Sequence, residues 1–333
     1  MSTKKITILG AGITGLWQAL ILKRAGHQVT LIEKSEEVFA GSSSWFAGAM
    51  LAPFCEAASA EPVIQKLGLR SLTMWKENFP DMKINGTLVL AQPRDMSVLK
   101  EFARDTEGYD QITGNQIGEL EPDLEERYQT GLFYPNEAHL DPRQSMQDLW
   151  RMITEAGVNI ILGNAASERD HNAGDFTIDC TGLSAQSELK ELRGVRGEMA
   201  VIRSNEINIT RPLRLLHPRF PLYVVPWSDN RYMLGATVIE REDDGPVTLR
   251  SALDLLSTAF ALHPAFGEAE LLEFSTGVRP AFPDNTPKIV LKHRHIYING
   301  LYRHGFLLGP ILADLTRQYI ETGSRTSELM IEY

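Results

Sequence analysis

Cysteine is scarce in this chain, and positive charge is outnumbered. Only Cys55 and Cys180 occur in 333 residues, far apart in sequence, with no histidine or second cysteine beside either. That excludes a disulfide framework and a Cys/His metal cluster, and it agrees with two free thiols in a reducing cytoplasm. Lysine and arginine number 33 against 43 acids, a formal net charge of -10. No basic face forms, so a nucleic-acid partner has no electrostatic footprint here. No apolar run approaches the ~20 residues that a membrane span needs. There is no internal repeat and no low-complexity tract. The first β-type run begins at Lys5, which leaves no room for a signal peptide, and a cytoplasmic location is expected. With 43% hydrophobic and 23% charged residues, the composition is that of an ordinary soluble enzyme, long enough for two domains.

What the chain does have is an opening stretch, Lys5 to Lys34, that reads as strand, glycine turn, helix and strand. Ile6 to Leu9 is apolar and β-type. Gly10-Ala11-Gly12-Ile13-Thr14-Gly15 follows, then a helix from Leu16 to about Ala25, then a strand from Gln28 to Ile32 that ends at Glu33. This is the unit that holds a dinucleotide diphosphate. Gly10 permits the tight turn, Gly12 lets backbone approach a pyrophosphate, and Gly15 lets helix and strand lie close. The helix start offers free N–H groups and a partial positive charge to phosphate. Glu33 is placed to accept hydrogen bonds from a ribose, with Lys34 beside it, and an acid there disfavours the 2′-phosphate of NADP.

Further on, Ser42-Ser43-Ser44 precede a run of small residues to Pro53, and a helix is expected to begin nearby. Alone this would be an N-cap cluster. The glycine turn upstream favours a surface that a ligand approaches closely. Helical spacing covers Ala60 to about Phe79, Met96 to Ala103, Arg143 to about Ala156, and Leu249 to Leu262. Strands are expected at Asn85–Ala91, Gly131–Tyr134, Asn159–Leu162, Phe176–Cys180 and His295–Ile298, and Ile117 to Leu124 reads as turn-rich. Thr181-Gly182 ends a strand at the edge where open α/β sheets bind ligands; contact and ordinary strand end both remain open. From Gly197 the β-type runs Met199–Ile202, Leu222–Pro226 and Tyr232–Thr237 mark a second, mostly antiparallel sheet. A strand, a glycine turn and a helix from about Phe306 to Glu321 recur at the C-terminus. The first sheet therefore takes its last strand and helix from there.

These landmarks resemble those of the D-amino-acid oxidase / glycine oxidase family of flavoenzymes, most closely its glycine oxidases of thiamine biosynthesis. The resemblance rests on the Gly10 motif with Glu33, Ser44-Trp45-Phe46-Ala47-Gly48-Ala49-Met50-Leu51, Tyr223-Val224-Val225-Pro226 with Gly235-Ala236-Thr237, Gly277-Val278-Arg279-Pro280, and Tyr302-Arg303-His304-Gly305-Phe306-Leu307-Leu308. It implies an α/β fold with a Rossmann-like FAD-binding domain and an inserted, mostly antiparallel β-sheet substrate domain. The FAD-binding domain would comprise 1–82, 141–195 and 275–333, and the substrate domain 83–140 and 196–274. It implies FAD as cofactor, held by Gly10, Gly12, Ile13, Thr14, Gly15, Glu33, Lys34, Ser43, Ser44, Gly48, Met50, Thr181, Gly182, His304, Gly305, Phe306, Leu307 and Leu308. Tyr223, Arg279 and Arg303 would line the substrate pocket. The sequence departs from the family at His304, where Asn is common, at Gly309, where Ala or Thr is common, and in a short polar segment between Leu162 and Phe176.

The implied reaction oxidises a small amine next to a carboxylate (glycine, sarcosine or a small D-amino acid) to an imine that water hydrolyses to an oxo-acid. Flavin N5 takes a hydride from the α-carbon of the neutral amine, so no dedicated base is required. A guanidinium clamps the carboxylate through two parallel hydrogen bonds, Arg279 first and Arg303 second, with the Tyr223 hydroxyl as a third donor. For each arginine the other reading is a surface or inter-domain ion pair. The amides of Gly305, Phe306 and Leu307 would face the flavin's pyrimidine edge. Oxygen or another electron acceptor completes the cycle, and a homo-oligomer is in keeping with the family. Three further readings are a dehydrogenase of the same fold, a flavin module acting on a modified-tRNA amine, and a non-catalytic flavoprotein.

Overall fold

The computed structural model describes residues 2–163 and 174–332. The short polar segment after Leu162 lies largely outside the described residues. Two large sheets organise the rest. The first has seven strands, in the order Met330–Glu332, Lys288–Lys292, His295–Asn299, Phe176–Asp179, Lys5–Leu9, Gln28–Ile32 and Asn159–Ile161. From His295–Asn299 onward every neighbour is parallel; Lys288–Lys292 runs antiparallel to His295–Asn299. Consecutive residues such as Ile8 and Leu9, and Leu31 and Ile32, are buried, as a sheet covered on both faces requires.

The helix Ile13–Arg24 is buried along most of its length, because it is sandwiched between this sheet and its neighbours. The C-terminal helix Gly305–Thr322 packs beside it. Gly309 explains itself there: a Cβ would lie 2.9 Å from the Trp17 ring, so glycine lets the two helices close on that side chain. Trp17 meets Trp75 edge-on at 4.8 Å, and Trp75 Nε1 donates to the Phe306 carbonyl at 2.8 Å. That bond fixes where the C-terminal helix begins.

The second sheet has eight strands, in the order Glu270–Ala281, Arg193–Arg203, Arg231–Gly235, Leu222–Pro226, Leu213–Leu216, Thr87–Ala91, Thr130–Tyr134 and Asp110–Thr113. It is antiparallel except where Leu213–Leu216 runs parallel to Thr87–Ala91. The helix Leu249–Leu262 covers one of its faces, with Leu255, Ala259 and Leu262 buried.

The helix expected near the serine run begins at the far end of that stretch, and a second local expectation needs correction. No regular helix starts among Ser42 to Ala52. Ser43–Phe46 is a 3-10 turn, Ala49 has φ of +51°, and Met50–Leu51 is a short strand paired with Ala138–His139. A helix begins only at Pro53, where proline's fixed φ suits a first turn, and it ends at Glu56. The stretch Ile117 to Leu124 is not all turn: Gly114–Leu120 is helical, started by a capping box in which Thr113 N–H donates to Gln116 Oε1 at 2.9 Å. The strand Lys288–Lys292 and the edge strand Met330–Glu332 that pairs with it were unforeseen. Among the described residues no helix is long and apolar enough to cross a membrane.

Candidate active site

A cavity of about 740 Å³ is lined by residues of both sheets. At one end stands the glycine turn at the C-terminal edge of Lys5–Leu9. Gly10 has φ of +93°, and a Cβ there would sit 2.8 Å from the Cys180 carbonyl oxygen. Only glycine fits that backbone without strain. A Cβ on Gly15 would fall 1.9 Å from the Gly10 carbonyl oxygen, so Gly15 serves helix–strand packing and does not face the cavity. Gly12, Ile13 and Thr14 do line it. Gly12 caps the helix without a side chain, and a Cβ there would reach within 3.4 Å of Ser42 Oγ. Ser44 Oγ accepts from Ile13 N–H at 3.4 Å, so the serine run folds over the start of the helix. Glu33 and Lys34 are on the wall; Glu33 accepts from Ala11 N–H at 2.8 Å and Ser35 N–H at 3.2 Å. Ser43, Gly48, Met50, Thr181 and Gly182 also reach the cavity. Thr181 is fixed by hydrogen bonds from its N–H and hydroxyl to Asp179 Oδ1, at 2.9 and 2.7 Å.

A second helix start enters the same space. The cavity wall includes His304, Gly305, Phe306 and Leu307. A Cβ on Gly305 would lie 3.4 Å from Ile13 Cγ2, so two helix N-termini approach one another here. Their dipoles point the same partial positive charge at the cavity. Leu308 does not take part: its side chain is fully buried, and its N–H donates to the His304 carbonyl at 2.8 Å.

At the other end Tyr223, Arg279 and Arg303 come together on the cavity wall. The Tyr223 ring lies over two glycines. A Cβ would come within 3.2 Å of it on Gly48 and within 2.6 Å on Gly235. The Arg279 guanidinium lies flat over Gly197, where a Cβ would be 2.4 Å from Cζ. Its Nη1 donates to the Thr237 carbonyl at 3.1 Å, and among the described residues no acid forms an ion pair with it. A half-buried guanidinium without a carboxylate is rarely left so by a folded protein.

Arg303 is different. Its Nε lies 3.0 Å from Glu56 Oε2. Glu56, 7% exposed, also pairs with Arg214 through Oε1 and stands 3.4 Å from His304 Nδ1. Burial alone would push the Glu56 carboxyl up, but Arg303, Arg214 and His304 outweigh it and hold it well below the ordinary carboxylate range. Burial pushes His304 down to about 4, with Glu56 opposing, so the imidazole is neutral near pH 7. Glu56 raises Arg303 further above its usual value. The ion-pair reading thus applies to Arg303 and not to Arg279.

Glu56 and Arg214 are the functional candidates that sequence reasoning missed. One signal was available for Glu56: it is the only charged residue between Glu37 and Glu61. Arg214, on a strand reading Leu-Arg-Leu-Leu, has the alternation of any half-buried strand and gave none.

Comparison with known proteins follows the same lines. The family model for FAD dependent oxidoreductases matches residues 5–319. The chain belongs to that family. It is 47% identical over 311 residues to a thiamine biosynthesis oxidoreductase, ThiO, of Rhizobium etli, covering 93% of this chain and 94% of the relative. It is 23% identical to the glycine oxidase of Geobacillus kaustophilus over 95% of this chain and 92% of that protein. A bifunctional ThiO/ThiG protein of Trichormus variabilis is 26% identical, and the chain spans 53% of its length. The crystal structure of glycine oxidase from Geobacillus kaustophilus shares the fold, with a TM-score of 0.81, 21% identity and coverage of 99% of this chain and 97% of that one.

The protein is therefore an FAD-dependent oxidoreductase with an α/β fold of the glycine oxidase type. The cavity suits that cofactor. Bare glycines at 10 and 12 leave a cradle that a side chain would fill, and two helix starts supply positive ends for a diphosphate.

Proposed function

We propose that the chain oxidises a small amino acid at its α-carbon, and that Arg279 holds the substrate carboxylate. The first sheet and its helices serve as the FAD-binding unit, and the second sheet carries the substrate-facing side chains. Gly10, Gly12 and the Ile13 helix start would hold the diphosphate, Glu33 the ribose, and Gly305 to Leu307 the far end of the isoalloxazine. Bound FAD supplies the two-electron acceptor for the hydride that leaves the α-carbon.

The observation that carries this reading is Arg279, a cavity-lining guanidinium that donates to a neutral carbonyl and, among the described residues, pairs with no acid. A carboxylate supplies the missing partner through two parallel charge-assisted hydrogen bonds. Tyr223 lines the same cavity with its ring against Gly48 and Gly235, and its hydroxyl would serve as a further donor to the carboxylate. Fixing one carboxylate at two points orients the α-carbon hydrogen and shuts out other poses. Neither Glu56 nor His304 serves as a base for the amine: Glu56 is held too low and His304 sits at about 4. The amine reaches the site already neutral, and the imine product is hydrolysed by water. The Rhizobium etli relative, named for thiamine biosynthesis, and the Geobacillus kaustophilus glycine oxidase support glycine or a close analogue as substrate.

The test is anaerobic mixing of the yellow protein with glycine, sarcosine and D- and L-amino acids while flavin absorbance is followed. Bleaching by a small amino acid is expected, and air then distinguishes an oxidase, which regains colour, from a dehydrogenase, which does not. A protein that holds FAD and is bleached by no member of the panel contradicts the proposal.

A further inference from the structure

Three guanidinium groups, Arg214, Arg279 and Arg303, line the cavity, and one carboxylate, Glu56, forms ion pairs with two of them. Among the described residues no other acid pairs with any of the three. The sharing is uneven. Glu56 Oε1 accepts a hydrogen bond from Arg214. Glu56 Oε2 has Arg303 Nε at 3.0 Å and His304 Nδ1 at 3.4 Å, yet it is buried and accepts a hydrogen bond from neither. A buried carboxylate oxygen without a hydrogen bond is costly to keep and marks a site that packing alone does not explain. Another acid, Glu137, is fully buried, accepts a hydrogen bond from Cys55 N–H at 2.8 Å and forms no ion pair with the three arginines; burial pushes its carboxyl up.

We infer that Glu56 is the counter-charge of the substrate pocket: it orients Arg303 and cancels part of the positive field, so that a substrate carboxylate is held but also released. Glu56 is a positioning residue, acting through Arg303 and Arg214. The inference rests on the reading that a carboxylate occupies this pocket. Its physical content is a sign. Loss of the negative charge at constant shape makes the pocket more positive, and an anion then binds more tightly. Because Arg303 and His304 directly precede the helix start at Gly305, the same change favours the reduced, more negative form of a flavin seated there. A purely structural Glu56 has the opposite signature: its loss frees Arg303 and weakens anion binding.

The experiment uses the flavin-loaded protein and acetate, a carboxylate with no amine to oxidise, titrated by flavin absorbance. Glu56→Gln is expected to bind acetate about tenfold more tightly than wild type, with a lower KM and a lower kcat for the amino-acid substrate, and a more positive flavin midpoint potential. Glu56→Asp, which keeps the charge, returns both readings towards wild type. Arg214→Gln reverses the sign and binds acetate several-fold more weakly. If Glu56→Gln binds acetate no better than wild type, or its midpoint potential does not rise, the inference is overturned. Should Glu56→Gln fail to fold, Arg214→Gln decides: weaker acetate binding supports the inference, and unchanged or tighter binding overturns it. If wild type and Arg279→Met both ignore acetate, it is the carboxylate reading of the pocket that fails.

Discussion

The Gly10 turn and the Arg279 pocket share one cavity but are built in different ways. The turn is assembled by residues close in sequence, Gly10 to Gly15, with the serines a helix and a strand further on. Its working groups are backbone amides and two helix starts, and Gly10 and Gly15 are dictated by contacts of 2.8 Å or less to neighbouring carbonyls. The pocket is assembled from Glu56, Arg214, Tyr223, Arg279 and Arg303, contributed by five separate segments. Its working groups are charges, and their meaning depends on which acid each arginine meets. A turn therefore announces its ligand locally, whereas a pocket of charges acquires its specificity only when the chain is folded. Arg279 and Arg303 look alike in sequence; one lies alone over Gly197 and the other lies against Glu56.

The contrast can be broken at either end. The largest effect is expected at Arg279. Arg279→Met should lower kcat/KM for the amino-acid substrate by roughly 10²-fold or more while the purified protein keeps its full complement of FAD, read from the ratio of visible to ultraviolet absorbance. A loss of colour instead would mean that Arg279 belongs to the cofactor end. Gly10→Ala should do the reverse. With φ of +93° and a Cβ 2.8 Å from a carbonyl oxygen, the strain should weaken FAD binding by about tenfold or more, and the fraction that retains FAD should keep its substrate KM. Tyr223→Phe removes one hydrogen bond to a charged group without disturbing the ring packing on Gly48 and Gly235. A fall in kcat/KM of about tenfold, with FAD content unchanged, is the expected outcome of steady-state assays.

The smallest effect separates fold from site through pH. Burial lowers His139 and His304 to about 4, below the ordinary 6.5, so both are neutral in the folded protein. Between pH 6.5 and 4 the unfolded chain binds protons that the fold does not accept. Their contribution to stability is therefore complete above pH 6.5 and is lost as pH falls through this window, by about 1 kcal/mol for each histidine at pH 5.5. The melting temperature should drop by a few degrees from pH 7 to pH 5.5. In His304→Asn the drop should be smaller. An equal drop in that variant would show that His304 is not the neutral, buried group described.

The same contrast explains how much was legible before the structure. The nucleotide-binding strand, turn, helix and strand could be placed because each step leaves a residue signature: apolar alternation, glycine where φ is positive, and an acid at the end of the next strand. The helix Leu249–Leu262 was placed at its observed bounds by its apolar spacing. After Ser42, small residues and hydroxyls suit both a helix start and a close approach; the glycine turn upstream favoured the latter, and Gly48 lies against the Tyr223 ring. Lys288–Lys292 and Met330–Glu332 escaped notice because short strands gain their definition from the strands they pair with. Glu56 and Arg214 escaped because a buried ion pair has no period and no motif.

The most direct test of the account is a stopped-flow titration, without oxygen, of wild type and Arg279→Met with glycine. The account predicts that wild type is bleached in a saturable manner, and that Arg279→Met, equally yellow, is bleached far more slowly with little saturation. Equal bleaching of the two proteins would contradict it.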